Sequence, residues 1–298
     1  MRRSGFTLIE VMVVSAIIAI LAGMMTPMVW KWWESEAVIA TEEKLQGLKK
    51  ALLGFQTDQQ TGIRTMYGFV GDNGELPFCA YSSGNYSLSL VMNKPNAACS
   101  YPLWNGPYIS GVNPTDAFKD NWGKDLSYMT CASADGRYLS GSLRSAGVDG
   151  VLEVYDSCDT AGTSTFCKGD DICVELPRLQ VAPNNRVQGN FAYTGTTVTP
   201  SSVNFEVTYP DANISGGYRK VLSGCKQKLA SFQNFTTALF DGSGNPVYLP
   251  IGKAAFKSYY YPNADCSGTA TAESQFVDYF IHHDMSRLLI NLPEITAP

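Results

Sequence analysis

Few side chains in this sequence are placed to do chemistry, and their spacing narrows what that chemistry is. Only two histidines occur, adjacent at His282 and His283 and followed by Asp284. A zinc site needs three or four ligands. No third partner stands at a ligand spacing, so the cluster reads as a polar strand end. No nucleophile–base constellation and no phosphate-cradling glycine loop occurs, which argues against an enzyme. Tyr259, Tyr260 and Tyr261 offer area for stacking a sugar, but ordinary strand packing is the better reading. Eight cysteines all fall between Cys79 and Cys266. The even number implies oxidised pairs and a compartment outside the cytosol. Cys225 and Cys266 stand apart from the rest and are expected to pair, and Cys79 with Cys99 is a second candidate pair. Cys79, Cys99 and Cys131 precede Cys158, Cys167 and Cys173. Three and three cannot pair fully within each group, so one bond joins the groups.

The remaining chemical oddity is Glu10, a carboxylate set five residues into an apolar run from Phe6 to Val29. As a helix that run measures roughly 36 Å, enough to cross a bilayer with some tilt. A carboxylate at that depth costs a few kcal/mol and needs a partner, which no neighbouring residue is expected to supply. Arg2 and Arg3 precede the run, so its start should face the cytoplasm. Trp30, Trp32 and Trp33 follow it, as aromatic residues do at a headgroup layer. No small-residue cleavage site ends the run, as it would in an ordinary secretory signal. Pro27 has no N–H to donate and crowds the preceding turn, so it should kink or loosen the helix. Beyond it Thr41, Leu45, Leu48, Leu52 and Phe55 form an amphipathic stripe. The helix is therefore expected to continue to about Gln56, near 75 Å in all.

Gly5-Phe6-Thr7-Leu8-Ile9-Glu10, with Pro27 in register, resembles the N-terminus of type IV pilins and type II secretion pseudopilins. The resemblance implies cleavage between Gly5 and Phe6 by a prepilin peptidase, which also methylates the new Phe6 amine. It implies that Glu10 pairs with the N-terminal amine of a neighbouring subunit during assembly. It also implies partners: other pilin-like subunits and an inner-membrane assembly platform. The chain would start in a bacterial inner membrane, single-pass with its N-terminus cytoplasmic, and end in a periplasmic or cell-surface filament.

After Thr57, Gly, Pro, Asn and Asp punctuate short apolar runs, as in turns and strands. Trp104-Asn105-Gly106-Pro107-Tyr108, Asp120-Asn121-Trp122-Gly123 and Ser145-Ala146-Gly147-Val148-Asp149-Gly150 follow in the order seen in a major pseudopilin head. In that family the loop after such an Asp-Gly often holds calcium, an ion that takes six to eight oxygens. The resemblance makes Asp149 and Asp171 the candidate ligands. This loop is longer than usual and carries Cys158, Cys167 and Cys173, so disulfides are the alternative staple.

The expected class is α+β: a long N-terminal helix packed on a small antiparallel sheet, then a C-terminal β-sandwich-like domain. The expected divisions are a leader at 1–5, a transmembrane half-helix at 6–29 and a periplasmic half-helix at 30–57. A head at 58–176, a linker at 177–186 and an accessory β domain at 187–298 follow. Strict alternation at Val203 to Tyr209 marks a half-buried strand. Further strands are expected at 190–193, 254–261, 276–281 and 287–291. A formal charge of −5 with 16% charged residues excludes a nucleic-acid-coating surface. The function expected is a filament subunit. The rival is a membrane-tethered adhesin or binding module that has a pilin-type leader and never polymerises. The ligand of the accessory domain is not legible.

Overall fold

The computed structural model describes residues 8–54, 67–79, 84–96, 99–132, 137–153, 171–176, 180–181, 187–192, 201–222, 224–227, 232–237, 249–273, 276–281 and 288–290. It opens with α1, Leu8–Leu53, a single helix of 46 residues, roughly 69 Å long. Through Trp33 every side chain of α1 is exposed, including Leu8 at 76%, Met28 at 77% and Trp32 at 67%. α1 is continuous across Pro27, whose missing N–H leaves the Gly23 carbonyl without an i+4 backbone donor. Thr26 Oγ1 donates to the Ala22 carbonyl at 2.7 Å, and Ser15 Oγ to the Val11 carbonyl at 2.8 Å. These local bonds satisfy hydroxyls that an apolar medium would leave stranded.

From Glu34 onward one stripe of α1 turns inward: Ala37, Thr41, Leu45, Leu48, Ala51 and Leu52 are buried. The 3.6-residue periodicity puts them on one face, and that face covers a sheet. The sheet is antiparallel, in the order β1 (Ser127–Ala132), β2 (Tyr138–Ser145), β3 (Ile172–Leu176). Leu139, Leu143, Tyr128, Val174 and Leu176 join the α1 leucines in one core, with Phe69, Val70 and Leu76. The last three come from α2 (Gly68–Asn73) and the segment after it. Two further short helices, α3 (Gly84–Ser89) and α4 (Pro114–Ala117), lie between α2 and β1. The chain is thus α+β, a long helix on a small antiparallel sheet with further sheets beyond.

The later strands are β4 (Gln180–Val181), β5 (Val187–Ala192), β6 (Ser202–Pro210), β7 (Tyr218–Leu222), β8 (Lys226–Gln227) and β9 (Phe232–Thr237). They continue with β10 (Leu249–Pro250), β11 (Gly252–Tyr261), β12 (Ala272–Glu273), β13 (Val277–Ile281) and β14 (Leu288–Ile290). β6 and β11 pair along seven residues and form the middle of a six-stranded sheet. Val203, Phe205, Val207 and Tyr209 alternate inward on β6, as do Ala254, Phe256 and Tyr260 on β11. β5 pairs antiparallel with β9 and parallel with β14 in a separate sheet. β4, within the segment expected as a linker, pairs with β10.

The six-stranded sheet is packed directly on the head. Ile251 is buried within the head core, and Ala212 packs against it. Backbone meets backbone where α2 crosses β11: a Cβ on Gly252, whose φ is 129°, would lie 2.6 Å from the Gly71 Cα. A Cβ on Gly74 would lie 2.1 Å from the Pro210 carbonyl oxygen. Only glycine lets the chains approach this closely.

Disulfides join Cys79 to Cys99 and Cys225 to Cys266. The second ties the β7–β8 connection to the turn after β11. Cys131 and Cys173 are also disulfide-bonded. Cys131 pairs with Ser140 on β2, whereas Cys173 pairs with Arg144. They are therefore separated by two strand spacings and four residues along β2, roughly 16 Å. A disulfide spans at most about 7 Å between Cα atoms, so they cannot bond each other. Non-reducing peptide mapping is expected to link Cys131 and Cys173 to the peptides carrying Cys158 and Cys167. A Cys131–Cys173 peptide would show that the β1–β2–β3 register is wrong.

Candidate functional site

Three segments singled out in the sequence converge at one junction. Asp120 is 4% exposed. Its Oδ1 accepts from the Trp122 and Lys124 backbone N–H groups at 3.0 and 2.8 Å, closing the Asp-Asn-Trp-Gly turn. Its Oδ2 accepts from Ser145 Oγ at 2.8 Å, at the end of β2. Ser145 Oγ in turn accepts from the Gly147 N–H at 3.2 Å, so the turn that carries Asp149 is held too. α1 reaches the same place. Thr41 Oγ1 donates to the Ala37 carbonyl and accepts from the Asn121 N–H at 3.2 Å. Lys44 Nζ donates to the Lys119 and Asp116 carbonyls at 2.6 and 3.3 Å. Thr41 counts as a member of the stripe by spacing, but it acts here through its hydroxyl. Ser145 belongs to the Ser-x-Gly-x-Asp-Gly segment and Thr41 to the stripe, whereas Lys44 carried no signal of its own; that the three meet at the Asp120 turn was not legible in the sequence.

The Asp149 and Asp171 carboxylates belong to the loop beyond this junction. Asp149 is exposed, and its Oδ1 accepts from the Val151 N–H at 2.8 Å. Asp171 Oδ2 accepts from the Glu153 N–H at 3.2 Å, which folds the strand-end turn back on the start of β3. Among the described residues no three of His, Cys, Asp and Glu gather as a metal cluster. Two carboxylates fall short of a calcium shell, so the described residues alone do not make one. His282, His283, Asp284, Cys158 and Cys167 lie outside the described residues, as do Gly5 and Phe6.

The Gly-Pro-Tyr segment closes the far side of the head. Trp104 Nε1 donates to the Leu90 carbonyl at 2.8 Å, and the Tyr108 N–H to the Val91 carbonyl at 2.7 Å. The Gly106–Pro107 peptide is cis. Tyr108 Oη donates to Asp72 Oδ2 at 2.9 Å. Burial raises the Asp72 carboxyl above the usual carboxylate range, and the Tyr108 bond partly offsets that. Burial first, then the Asp72 charge, raises the Tyr108 phenol.

Glu10 lies in the first turn of α1, exposed on its surface, where a carboxylate also suits the positive end of the helix dipole. Residues 1–26 match the family model described as the prokaryotic N-terminal methylation motif. That is the prepilin-type motif, and it supports a type IV pilin-like chain. It implies processing by a peptidase and pilin-like assembly, and with the exposed apolar helix it fits membrane anchoring. No curated protein and no solved structure matches the chain.

The raised Asp72 carboxyl has a signed consequence. Its folded value exceeds the unfolded one, so its contribution to stability is fully present at low pH and is lost as pH rises through the folded value. Asp72→Asn keeps the shape and removes the charge. The stability of Asp72→Asn minus that of the wild type is expected to grow as pH rises from about 4, and to level off once pH has passed the folded value. Chemical denaturation across that range measures it. A difference that shrinks with rising pH would mean that Tyr108 holds the carboxylate below its unfolded value.

Proposed function

We propose that the chain is a structural subunit of a pilin-like filament. One observation carries this reading: a prepilin-type motif at residues 1–26 runs into a helix whose apolar residues are exposed on every side. Exposed apolar area of that extent is stable only in lipid or against other helices. The same surface serves both, first in the inner membrane and then in the core of a fibre. Prepilin peptidase cuts after Gly5 and methylates Phe6. Methylation leaves the amine cationic, so it remains a partner for Glu10 of a neighbouring subunit. An inner-membrane platform adds subunits, and the heads with their C-terminal sheets form the outside of the fibre.

The order of the Trp-Gly turn and the Ser-x-Gly-x-Asp-Gly segment favours a secretion pseudopilus over a type IV pilus. The role is structural, not catalytic. In this reading the C-terminal strands make a sandwich-like accessory unit displayed at the surface. Calcium at Asp149 and Asp171 belongs to the proposal as a separate element, with loop atoms completing the shell. If it binds, chelation lowers the melting temperature, and Asp149→Ala abolishes that response. Equal melting with and without chelator leaves the disulfides as the staple.

Assembly is tested at Glu10. Removing one partner of a buried ion pair costs roughly 3–5 kcal/mol. Glu10→Ala is therefore expected to reach the membrane and be cleaved to a methylated Phe6 terminus, yet to be depleted from sheared fibres. Mass analysis of the N-terminus and blots of fibre against membrane fractions report the two steps. Wild-type levels of Glu10→Ala in fibres would favour the tethered-module rival. An intact Met1 would remove the pilin reading altogether.

A further inference from the structure

The side of α1 turned away from the head carries features that the head does not use. The buried stripe runs through Ala37, Thr41, Leu45, Leu48 and Leu52. Half a turn round the helix lie Ile39, Glu43, Gly47 and Lys50, spaced at four, four and three residues and hence on one line. All four are exposed, Ile39 at 55%. A Cβ built on Gly47 would meet nothing within 4 Å. Glycine inside a helix is disfavoured relative to alanine, because its freer backbone loses more on ordering. There is room for a side chain at Gly47, and no contact within the described residues calls for its absence.

The charges on this side are ordered. Glu42 and Glu43 precede Lys49 and Lys50, each acid seven residues before a base. Seven residues fall about 20° short of two turns, so Glu43 and Lys50 share one line, and Glu42 and Lys49 share the line beside it. Within a helix, ion pairs form at spacings of three and four. At those spacings Glu42 and Glu43 meet Leu45, Gln46 and Gly47, none of them a cation. Among the described residues none of the four charges makes an ion pair. Acids and bases that cannot meet within one helix do meet between two parallel copies displaced by seven residues, roughly 10.5 Å along the axis. Lys49 and Lys50 of one copy then stand level with Glu42 and Glu43 of the next. Without displacement, like charge faces like at all four positions. The displacement also sets Glu43 level with Glu36 of the next copy, one like pair against two opposite ones. Gly47 lies between the acids and the bases, where a missing Cβ lets two backbones approach. We propose that this side of α1 is a homotypic contact: a second copy of this chain packs on it in parallel, displaced by seven residues, its Glu42 and Glu43 paired with Lys49 and Lys50 beside Gly47. The contact rests on the filament reading and adds to it the identity of the neighbour and the axial step.

The test expresses full-length chains, each as the sole source of this subunit, and compares sheared fibres with membranes by blot. Glu43→Lys and Lys50→Glu are each expected to be depleted from fibres at least about fivefold, because reversal replaces an exposed ion pair by a repulsion. The chain carrying both reversals is expected to enter fibres at the wild-type level. Gly47→Leu fits the free chain and is expected to be depleted as well. Thermal unfolding of the membrane-extracted variants is expected to match the wild type, since these side chains are exposed. Cross-linking reads the axial step directly. Among the described residues no cysteine is free. In a chain with Glu43→Cys and Lys50→Cys, the new thiols of one helix stand roughly 10.5 Å apart, too far to bond each other. Oxidised fibres of that chain are expected to give a ladder of cross-linked copies, and fibres of Glu43→Cys alone none. Single reversals or Gly47→Leu at the wild-type level would overturn the contact. A double reversal no better than the singles, or fibres of the double-cysteine chain without a ladder, would overturn it too. In each of those cases wild-type fibres still uphold the filament reading, whereas a wild type missing from fibres removes that reading and the contact together.

Discussion

The carboxylate of Asp120 is the interaction on which the head's arrangement turns. One buried group holds the Trp122 and Lys124 N–H groups and the Ser145 hydroxyl. Each of those bonds is local in effect but joins parts far apart in sequence. The turn before β1 cannot move without the end of β2, and the end of β2 carries the next loop. Because α1 reaches the same turn through Thr41 and Lys44, helix, turn and sheet are placed together. An anionic acceptor forms stronger hydrogen bonds than a neutral one, and it is costly to leave unmet in a buried place. That asymmetry makes the junction specific as well as stable.

The long helix divides into two chemical environments with no break in its backbone. Up to Trp33 its apolar side chains have no cover within the chain. From Ala37 on, one face belongs to the head core. The same secondary structure thus serves as an adhesive outside the head and as a core element within it. The change falls where the sequence turns from uninterrupted apolar residues to glutamates and lysines around an apolar stripe.

Much of this was legible in the sequence because it is local. The stripe at Thr41, Leu45, Leu48 and Leu52 follows from helical spacing, and all four are buried. Val203 to Tyr209 alternates strictly, and β6 covers it. β7 and β9 were not anticipated, because Tyr-Arg-Lys-Val-Leu is mostly polar and exposed, and Phe-Gln-Asn-Phe-Thr-Thr does not alternate. The parallel pairing of β14 with β5 depends on segments roughly a hundred residues apart, which no local pattern encodes. Ile251 shows the same limit more sharply: nothing in its neighbourhood tells that its side chain enters the head core. The partners of Asp120 at the candidate site were hidden for that reason too.

The direct backbone contact at Gly71 and Gly252 has a mechanical meaning. A linker between two bodies absorbs force by straightening, and side chains at an ordinary interface absorb it by changing rotamer. Neither cushion exists where two glycine backbones touch with the Ile251 side chain buried alongside. A displacement of this sheet would therefore meet the main chain of α2, which in turn packs on the end of α1. The C-terminal sheet is thus coupled to the helix through main chain rather than through side chains.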